Sequence, residues 1–318
     1  MAGGAALTSD APMTGSTVEW VERCCPLCGP GADACVFAES NIDLSRLNEF
    51  AFASRKLPEY MHSRLCECNG CEVLYGNPVL PLDSIAAGYE MAAFDSGEEA
   101  DYASRTYQRL IERLVPRLPD CDAALDIGAG DGAFLERLVE SGFTRVCGVE
   151  PSAAPIAAAK PHIRGFIRRG LFDPTAFEPG SFSLITCFQT MEHVWDPLAV
   201  CRGAYSLLKK GGALVAVVHN RHAMSARLLG RKSPIFDIEH LQLFSIRSSR
   251  RLFELAGLSG VQATPIWNRY PLHYWIKLFP LPPAVKGPAI SLFRKTRILQ
   301  MPIPVRAGNL VVYGFRSK

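Results

Sequence analysis

Apolar runs alternate with amphipathic segments along the last two thirds of the chain. Seven runs are apolar enough for buried strands, and four segments between them repeat apolar residues at helical spacing. The predicted strands are Ala123–Ile127, Val146–Glu150, Phe166–Arg169, Phe182–Phe188, Ala213–Val218, Val261–Trp267 and Leu310–Phe315. The predicted helices are Gly132–Ser141, Ala153–Lys160, Pro197–Leu208 and Ile246–Ala256. This alternation predicts an α/β fold.

The remaining patterns divide the chain into four parts. Residues 1–20 lack a basic stretch followed by an apolar block, so we expect a disordered tail and not a signal peptide. Residues 21–80 form a cysteine-rich module, and residues 81–120 are predicted to be helical. Residues 121–318 hold the sheet and two insertions, 219–244 and 268–305, that the sheet itself does not need. Ligand sites of α/β sheets form at the carboxyl ends of the strands, so we expect both insertions to act as lids.

A glycine-rich loop follows the first predicted strand in the segment LDIGAGDGAF, Leu125–Phe134. Glycines allow the backbone to pass close to a bound molecule. The next predicted strand ends at Glu150, 22 residues after Gly128. A carboxylate at that position accepts hydrogen bonds from ribose hydroxyls. Asp126 and Asp131 flank the loop and disfavour phosphate, whereas they suit a cation. S-adenosylmethionine fits this pattern because it has a ribose and a sulfonium but no phosphate. We therefore expect Asp126, Gly128, Gly130, Asp131 and Glu150 to bind it.

From Tyr102 to the C-terminus, the sequence resembles the class I S-adenosylmethionine-dependent methyltransferases of the small-molecule type. The resemblance also rests on FSLITCFQTMEHVWDP, Phe182–Pro197, and on LLKKGGALVAVVHN, Leu207–Asn220, with its "K-x-GG" turn. It implies a doubly wound, Rossmann-like sheet of seven mostly parallel strands, of which the last is reversed. It also implies an adenine pocket formed by Leu171, Phe172 and Gln189, and a helical cover over cofactor and substrate formed by residues 81–120.

Methyl transfer to a hydroxyl requires a base, and histidine is the usual choice near neutral pH. By the same resemblance, the loop after the fourth strand faces the methyl group, which makes His193 a catalytic candidate. His240 in the first insertion is a second candidate for the base, and Glu192 either orients His193, binds the cofactor or caps the next helix. His219 and His222 are weaker candidates.

Seven of the eleven cysteines lie within the first 71 residues. Cys25 and Cys28 form one C-x-x-C pair, and Cys68 and Cys71 form another after a connection of 39 residues. Two such pairs are typical of a structural zinc site with four thiolate ligands. Either of the neighbours Cys24 and Cys66 is an alternative ligand, and two unrelated reduced turns are the alternative interpretation of the motif. The many reduced cysteines favour a cytoplasmic location.

The composition is ordinary for a globular protein, with 48% apolar and 20% charged residues. No apolar run approaches the ~18 residues of a membrane span. The net charge of +3 hides an asymmetry, because Leu255–Lys318 contains nine basic residues and no acidic one. This asymmetry favours an anionic or amphipathic small-molecule substrate or contact with a membrane surface, and packing against the sheet is the alternative.

Two other functions compete with a small-molecule methyltransferase. A ribosomal RNA methyltransferase suits the front cysteine module and the basic C-terminal region. However, the base-flipping motif of amino-group methyltransferases is absent from FQTMEH at the end of the fourth strand, so nucleic acid is an improbable partner. The third function, cofactor binding without turnover, is disfavoured by the intact glycines and Glu150.

Overall fold

The computed structural model describes residues 19–43, 45, 60–91, 94, 97–278, 285, 287–288, 291, 302–306 and 308–317. The predicted tail lies almost entirely outside these residues, as does most of 268–305 after residue 278. The strands are β1 Ala34–Ala38, β2 Leu65–Cys68, β3 Leu74–Gly76, β4 Ala123–Ile127, β5 Arg145–Glu150, β6 Ile167–Arg169, β7 Phe182–Phe188, β8 Leu208–His219, β9 Gln242–Leu243, β10 Ser259–Pro265, β11 Asn268–Pro271, β12 Pro302–Val305 and β13 Asn309–Phe315. The helices are α1 Leu82–Met91, α2 Gly97–Glu112, α3 Ala133–Glu140, α4 Ala153–Ala158, α5 Pro161–Arg164, α6 Pro197–Leu207, α7 Met224–Leu229, α8 Ile246–Leu255 and α9 Leu272–Leu278.

Seven strands form the central sheet in the order β10-β13-β8-β7-β4-β5-β6. The five strands from β8 to β6 are parallel, and β13 runs antiparallel to both β8 and β10. Alternate residues of the central strands face opposite sides, so Leu125 packs towards α6 and α8 whereas Ala124 packs towards α2 and α3. The expected doubly wound, mostly parallel sheet with a reversed last strand is confirmed.

Two local boundaries differ from the predicted ones. The "K-x-GG" segment is not a turn between helix and strand, because β8 already begins at Leu208. Gly211 has φ +81°, and the register between β7 and β8 shifts there, so the segment is a bulge inside the strand. The predicted strand Val261–Trp267 is shifted, because Ser259–Pro265 pairs with β13 and Asn268–Pro271 pairs separately with β12.

A second, four-stranded sheet has the order β1-β2-β3-β9, with every pair antiparallel. Its first three strands come from the cysteine-rich module, and β9 comes from the insertion at 219–244. The insertion therefore contributes a strand to the front module in addition to covering the main sheet.

Within the part of the chain that the structure describes, no helix is both long enough and apolar enough to cross a membrane.

Candidate active site

The turn between β4 and α3 brings backbone close to open space. Gly128, Gly130 and Gly132 all have positive φ, at +79°, +56° and +74°. A Cβ on Gly128 would collide with Thr190, whereas a Cβ on Gly130 would meet no atom within 4 Å. Gly128 is therefore required for close packing against the loop after β7, and Gly130 exposes its backbone to the neighbouring cavity.

Three carboxyl groups surround this turn. Glu150 is 8% exposed and accepts hydrogen bonds from the backbone N–H of Gly130 and of Ser152, both at 2.9 Å. Asp126 accepts a bond of 2.6 Å from the Thr186 hydroxyl, and burial raises the pKa of Asp126 to about 7. Burial also raises the pKa of Glu150. Asp131 accepts from the N–H of Ala133 at the start of α3.

A cavity of about 1020 Å³ opens over the carboxyl ends of the strands. All eight predicted cofactor residues line it: Asp126, Gly128, Gly130, Asp131, Glu150, Leu171, Phe172 and Gln189. Gln189 has φ +54°, and its side-chain Nε2 is buried without a hydrogen-bond partner among the described residues. Other atoms of Gln189 line the cavity, whose size is typical of ligand sites.

Three histidines form one wall of the same cavity, which we call the histidine wall: His193, His219 and His240. The ring centroids of His193 and His240 are 4.9 Å apart, and those of His219 and His240 are 5.0 Å apart. His193 Nδ1 lies 3.1 Å from the carbonyl oxygen of Glu239, and His240 Nδ1 lies 2.8 Å from that of Ile235. A carbonyl only accepts, so each of these contacts is a hydrogen bond when Nδ1 carries the proton, and the neutral ring then has its lone pair on Nε2.

His219 differs from the other two rings. Its Nδ1 lies 2.9 Å from the side-chain oxygen of Asn309, and burial lowers the pKa of His219 to about 4. The ring is therefore neutral at physiological pH.

Glu192 lies behind the wall and does not line the cavity. It is 0% exposed, and its Oε1 accepts from the backbone N–H of His219. Its backbone oxygen accepts from Leu241, where the insertion enters β9. The described contacts give its side chain no bond to His193, and they attach it to the end of β8 instead.

Sequence reasoning missed three polar residues beside the histidine wall: Tyr89, Asp237 and Glu239. Tyr89 lies on α1, and its hydroxyl is 2.8 Å from His193 Nδ1. No motif marks these positions, because the tyrosine belongs to a generic helical pattern and the acids belong to an insertion.

The outer rim of the cavity is apolar and basic. Met224 and Leu228 on α7 line it although they are 72% and 79% exposed. Arg306 also lines it and stacks over Trp267 at 5.1 Å. Apart from the histidines, Arg306 is the one basic residue among the described lining residues.

The front module brings four cysteines together. The sulfur atoms of Cys25, Cys28, Cys68 and Cys71 all lie within 4.8 Å of one another, and those of Cys25 and Cys71 are 3.5 Å apart. A tetrahedral zinc–thiolate site has sulfur–sulfur edges of about 3.8 Å. The donor set and its spacing therefore fit zinc. Cys24 and Cys66, the alternatives weighed from sequence, are not in the group.

The order of the strands and the position of the acidic glycine loop define a class I methyltransferase. The chain belongs to a family described as "Methyltransferase domain", whose model matches residues 100–263.

Two curated relatives are both named ubiquinone biosynthesis O-methyltransferase. The one from Marinobacter nauticus is 33% identical over 110 residues, which are 32% of this chain and 46% of the relative. The one from Pseudomonas aeruginosa strain UCBPP-PA14 is 35% identical over 104 residues, 31% of this chain and 44% of the relative. The chain thus spans less than half of the length of these relatives.

Solved structures of similar fold include two methyltransferases. A SAM-dependent methyltransferase from Archaeoglobus fulgidus has a TM-score of 0.46 at 17% identity, covering 67% of this chain and 94% of that one. Phosphoethanolamine N-methyltransferase 2 from Haemonchus contortus, in complex with S-adenosylmethionine, has a TM-score of 0.43 at 14% identity, covering 67% and 52%.

Proposed function

We propose that this protein transfers the methyl group of S-adenosylmethionine to a hydroxyl of a small molecule. The observation that carries the proposal is one cavity with two chemically different ends. One end has the open Gly130 backbone beside Glu150, and the other has the histidine wall. The name of the curated relatives favours oxygen over activated carbon as the acceptor atom.

The residues at the first end fit the cofactor. Gly130 leaves room for a ligand, Glu150 keeps lone pairs for ribose hydroxyls, and Gln189 presents a buried donor that has no partner among the described residues. Leu171 and Phe172 offer apolar surface for an adenine, and Asp131 supplies negative charge for the ammonium and sulfonium. The bound cation would also favour the ionised form of Asp126, whose pKa burial raises to about 7. When bound, S-adenosylmethionine supplies an electrophilic methyl group on a good leaving group.

His193 accepts the acceptor's hydroxyl proton at Nε2. Its Nδ1 is occupied by hydrogen bonds, so Nε2 is the basic atom of a ring that lines the cavity. His240 packs against it and is the second candidate for the base. Glu192 supports the wall from behind and has no direct proton-transfer role.

The lining indicates the kind of acceptor. Asp237 and Glu239 at the histidine wall disfavour an anionic group there, whereas Met224, Leu228 and Arg306 at the rim suit an apolar part with an anionic end. An amphipathic small molecule fits this distribution, and the exposed apolar side chains of α7 also suit a membrane surface. The names of the relatives favour this interpretation over the RNA alternative. The cytoplasmic location remains a prediction from the reduced cysteines.

The cofactor half of the proposal is tested by Glu150→Gln, measured by calorimetry with S-adenosylhomocysteine. The amide keeps the shape but loses the charge and one acceptor, so we expect affinity to fall at least about 10-fold. Glu178→Gln, outside the cavity, is the matched control. Equal affinity of wild type and Glu150→Gln would contradict the assignment.

The catalytic half is tested by His193→Gln, assayed with methyl-labelled S-adenosylmethionine and a small-molecule cell extract. A general base contributes about 10²–10⁴-fold, so labelling should fall by that factor while cofactor affinity is retained. Full activity would exclude His193 as the base, and the same assay on His240→Gln then identifies the alternative.

We also propose a structural zinc ion in the front module. Four thiolates would complete a tetrahedral site and leave no position open for water, so the ion would have no catalytic role. Metal analysis of the purified protein should find one zinc per chain, lost in Cys68→Ser and retained in Cys35→Ser. Unchanged zinc in Cys68→Ser would contradict the four-cysteine site.

A further inference from the structure

Tyr89 contacts both the loop after β5, which carries Glu150, and His193 in the loop after β7. Its backbone oxygen accepts a 2.7 Å hydrogen bond from the Ser152 hydroxyl, and the N–H of Ser152 donates to Glu150 at 2.9 Å. Its phenol oxygen lies 2.8 Å from His193 Nδ1. A single residue of α1 therefore touches the loop after β5 through its backbone and the loop after β7 through its side chain.

The Glu239 carbonyl, which can only accept, favours one direction for the hydrogen bonds around the phenol. The Tyr89 hydroxyl donates to this carbonyl at 3.3 Å, and His193 Nδ1–H is 3.1 Å from the same oxygen. The remaining lone pair of the phenol faces His193 Nδ1 and accepts from it. Burial, together with Glu239 and Asp237, raises the pKa of Tyr89 well above its ordinary value, so the phenol stays protonated. His193 then has two acceptors for its Nδ1 proton and a basic Nε2.

We propose that Tyr89 is a positioning residue, which holds His193 in its Nδ1-protonated form and fixes this ring relative to the Glu150 loop. The inference rests on the proposed function of His193. Tyr89 precedes residues 100–263, the part that matches the methyltransferase family, so this contact belongs to the N-terminal part of this chain. The edge-on arrangement of the two rings, with centroids 5.9 Å apart and planes at 84°, further limits rotation of the imidazole.

The direct test is the tautomer of His193 in the full-length protein. Nitrogen NMR of histidine-labelled protein distinguishes protonated from unprotonated ring nitrogens, and the His193→Gln spectrum assigns the signals. We expect wild type to carry the proton on Nδ1. In Tyr89→Phe we expect the Nδ1–H signal to shift and its exchange with water to accelerate, because one of the two acceptors of this proton is lost while the Glu239 carbonyl remains. A wild-type proton on Nε2, or an unchanged Nδ1–H signal in Tyr89→Phe, would overturn the proposal. The wild-type spectrum supplies the first of these outcomes even where the variant folds poorly.

The second test separates rate from binding. In the labelled-methyl assay at saturating S-adenosylmethionine, Tyr89→Phe should lower the rate about 10-fold, the value of one lost hydrogen bond. The dissociation constant for S-adenosylhomocysteine should stay within about 2-fold, because the backbone bond from Ser152 remains. Tyr313→Phe is the matched control, since it loses a 2.6 Å bond to Gln262 outside the cavity.

Two outcomes contradict the role of Tyr89 in the second test: an unchanged rate, or equal losses of rate and cofactor affinity. If wild type transfers no methyl group to any extract component, the proposed function fails. The NMR measurement still decides whether Tyr89 accepts a hydrogen bond from His193 Nδ1.

Discussion

At the residue scale, Glu192 is an unusual carboxyl group, since it is 0% exposed and one of its oxygens has no partner among the described residues. Burial raises its pKa from 4.5 to about 7. The folded protein therefore holds this proton more tightly than the unfolded chain does. Stability contributed by this group is complete below about pH 4.5 and is lost as the pH rises towards 7.

Glu192→Gln should remove this pH dependence, because the amide keeps the bond to His219 and cannot ionise. Each pKa unit corresponds to about 1.4 kcal/mol. The difference between the melting temperatures of variant and wild type should therefore be roughly 5 °C more favourable to the variant at pH 8 than at pH 5. Thermal unfolding at the two pH values measures this difference, and Glu140→Gln, at an exposed position, is the control. A variant that loses as much stability with pH as wild type does would show that the carboxyl is not the cause.

Residues of the site differ in how far the sequence predicts them. Asp126, Gly130 and Glu150 could be assigned because motif order places them at the ends of adjacent parallel strands, β4 and β5. His193 follows β7 for the same reason. Tyr89 and Glu239 could not be assigned from the sequence, since their positions depend on how α1 and the insertion at 219–244 pack across the sheet. The catalytic and binding roles of all these residues stay predictions.

At the element scale, long apolar strands were predictable and short ones were not. Ala123–Ile127 and Phe182–Phe188 have the predicted bounds, because buried central strands leave a continuous apolar signal. The two-residue strand β9 has no such signal and forms only because Leu74 and Tyr75 pair with it. The bulge in β8 was also missed, since positive φ at a glycine is compatible with both a turn and a bulge.

The loop between β4 and α3 gives an element-scale prediction with a matched control. Gly130 and Gly142 both have positive φ, and a Cβ on either would meet nothing within 4 Å. Alanine at either position should cost about 1–2 kcal/mol of stability from backbone strain. Only Gly130→Ala places a methyl group in the cavity, so it alone should weaken S-adenosylhomocysteine binding, by at least about 10-fold in calorimetry. Equal affinities of the two variants would mean that the ligand does not approach Gly130.

At the scale of the whole molecule, the front module and the main sheet are joined by a shared chain segment, which contributes β9, and by arginines that bind across the boundary between them. Arg221, which follows β8, donates to Glu67 at 2.6 Å and to the Glu72 carbonyl at 2.7 Å. Arg23 lies in the front module, just before the first cysteine pair, and donates hydrogen bonds to the carbonyls of Trp195 and Leu241 at 2.8 and 3.0 Å. Composition marks the module as a separate unit along the chain, and it carries no information about these long-range contacts.

Arg23 gives the last prediction because its guanidinium also donates to the Gln242 side chain at 3.0 Å, on strand β9. Gln242 in turn donates to the carbonyls of Met191 and Val194, on either side of His193. In Arg23→Met the Trp195 carbonyl and the Gln242 side-chain oxygen lose this donor, whereas the Leu241 carbonyl keeps the N–H of Gly76. The cost is about 1–3 kcal/mol for each acceptor left without a partner. We expect hydrogen exchange of the peptide 235–245 to accelerate at least about 10-fold, with exchange of β4 and the zinc content unchanged. Arg105→Met, on the exposed face of α2, should leave the peptide as protected as in wild type. If Arg23→Met also leaves the peptide 235–245 as protected as in wild type, the front module does not hold the histidine wall in place.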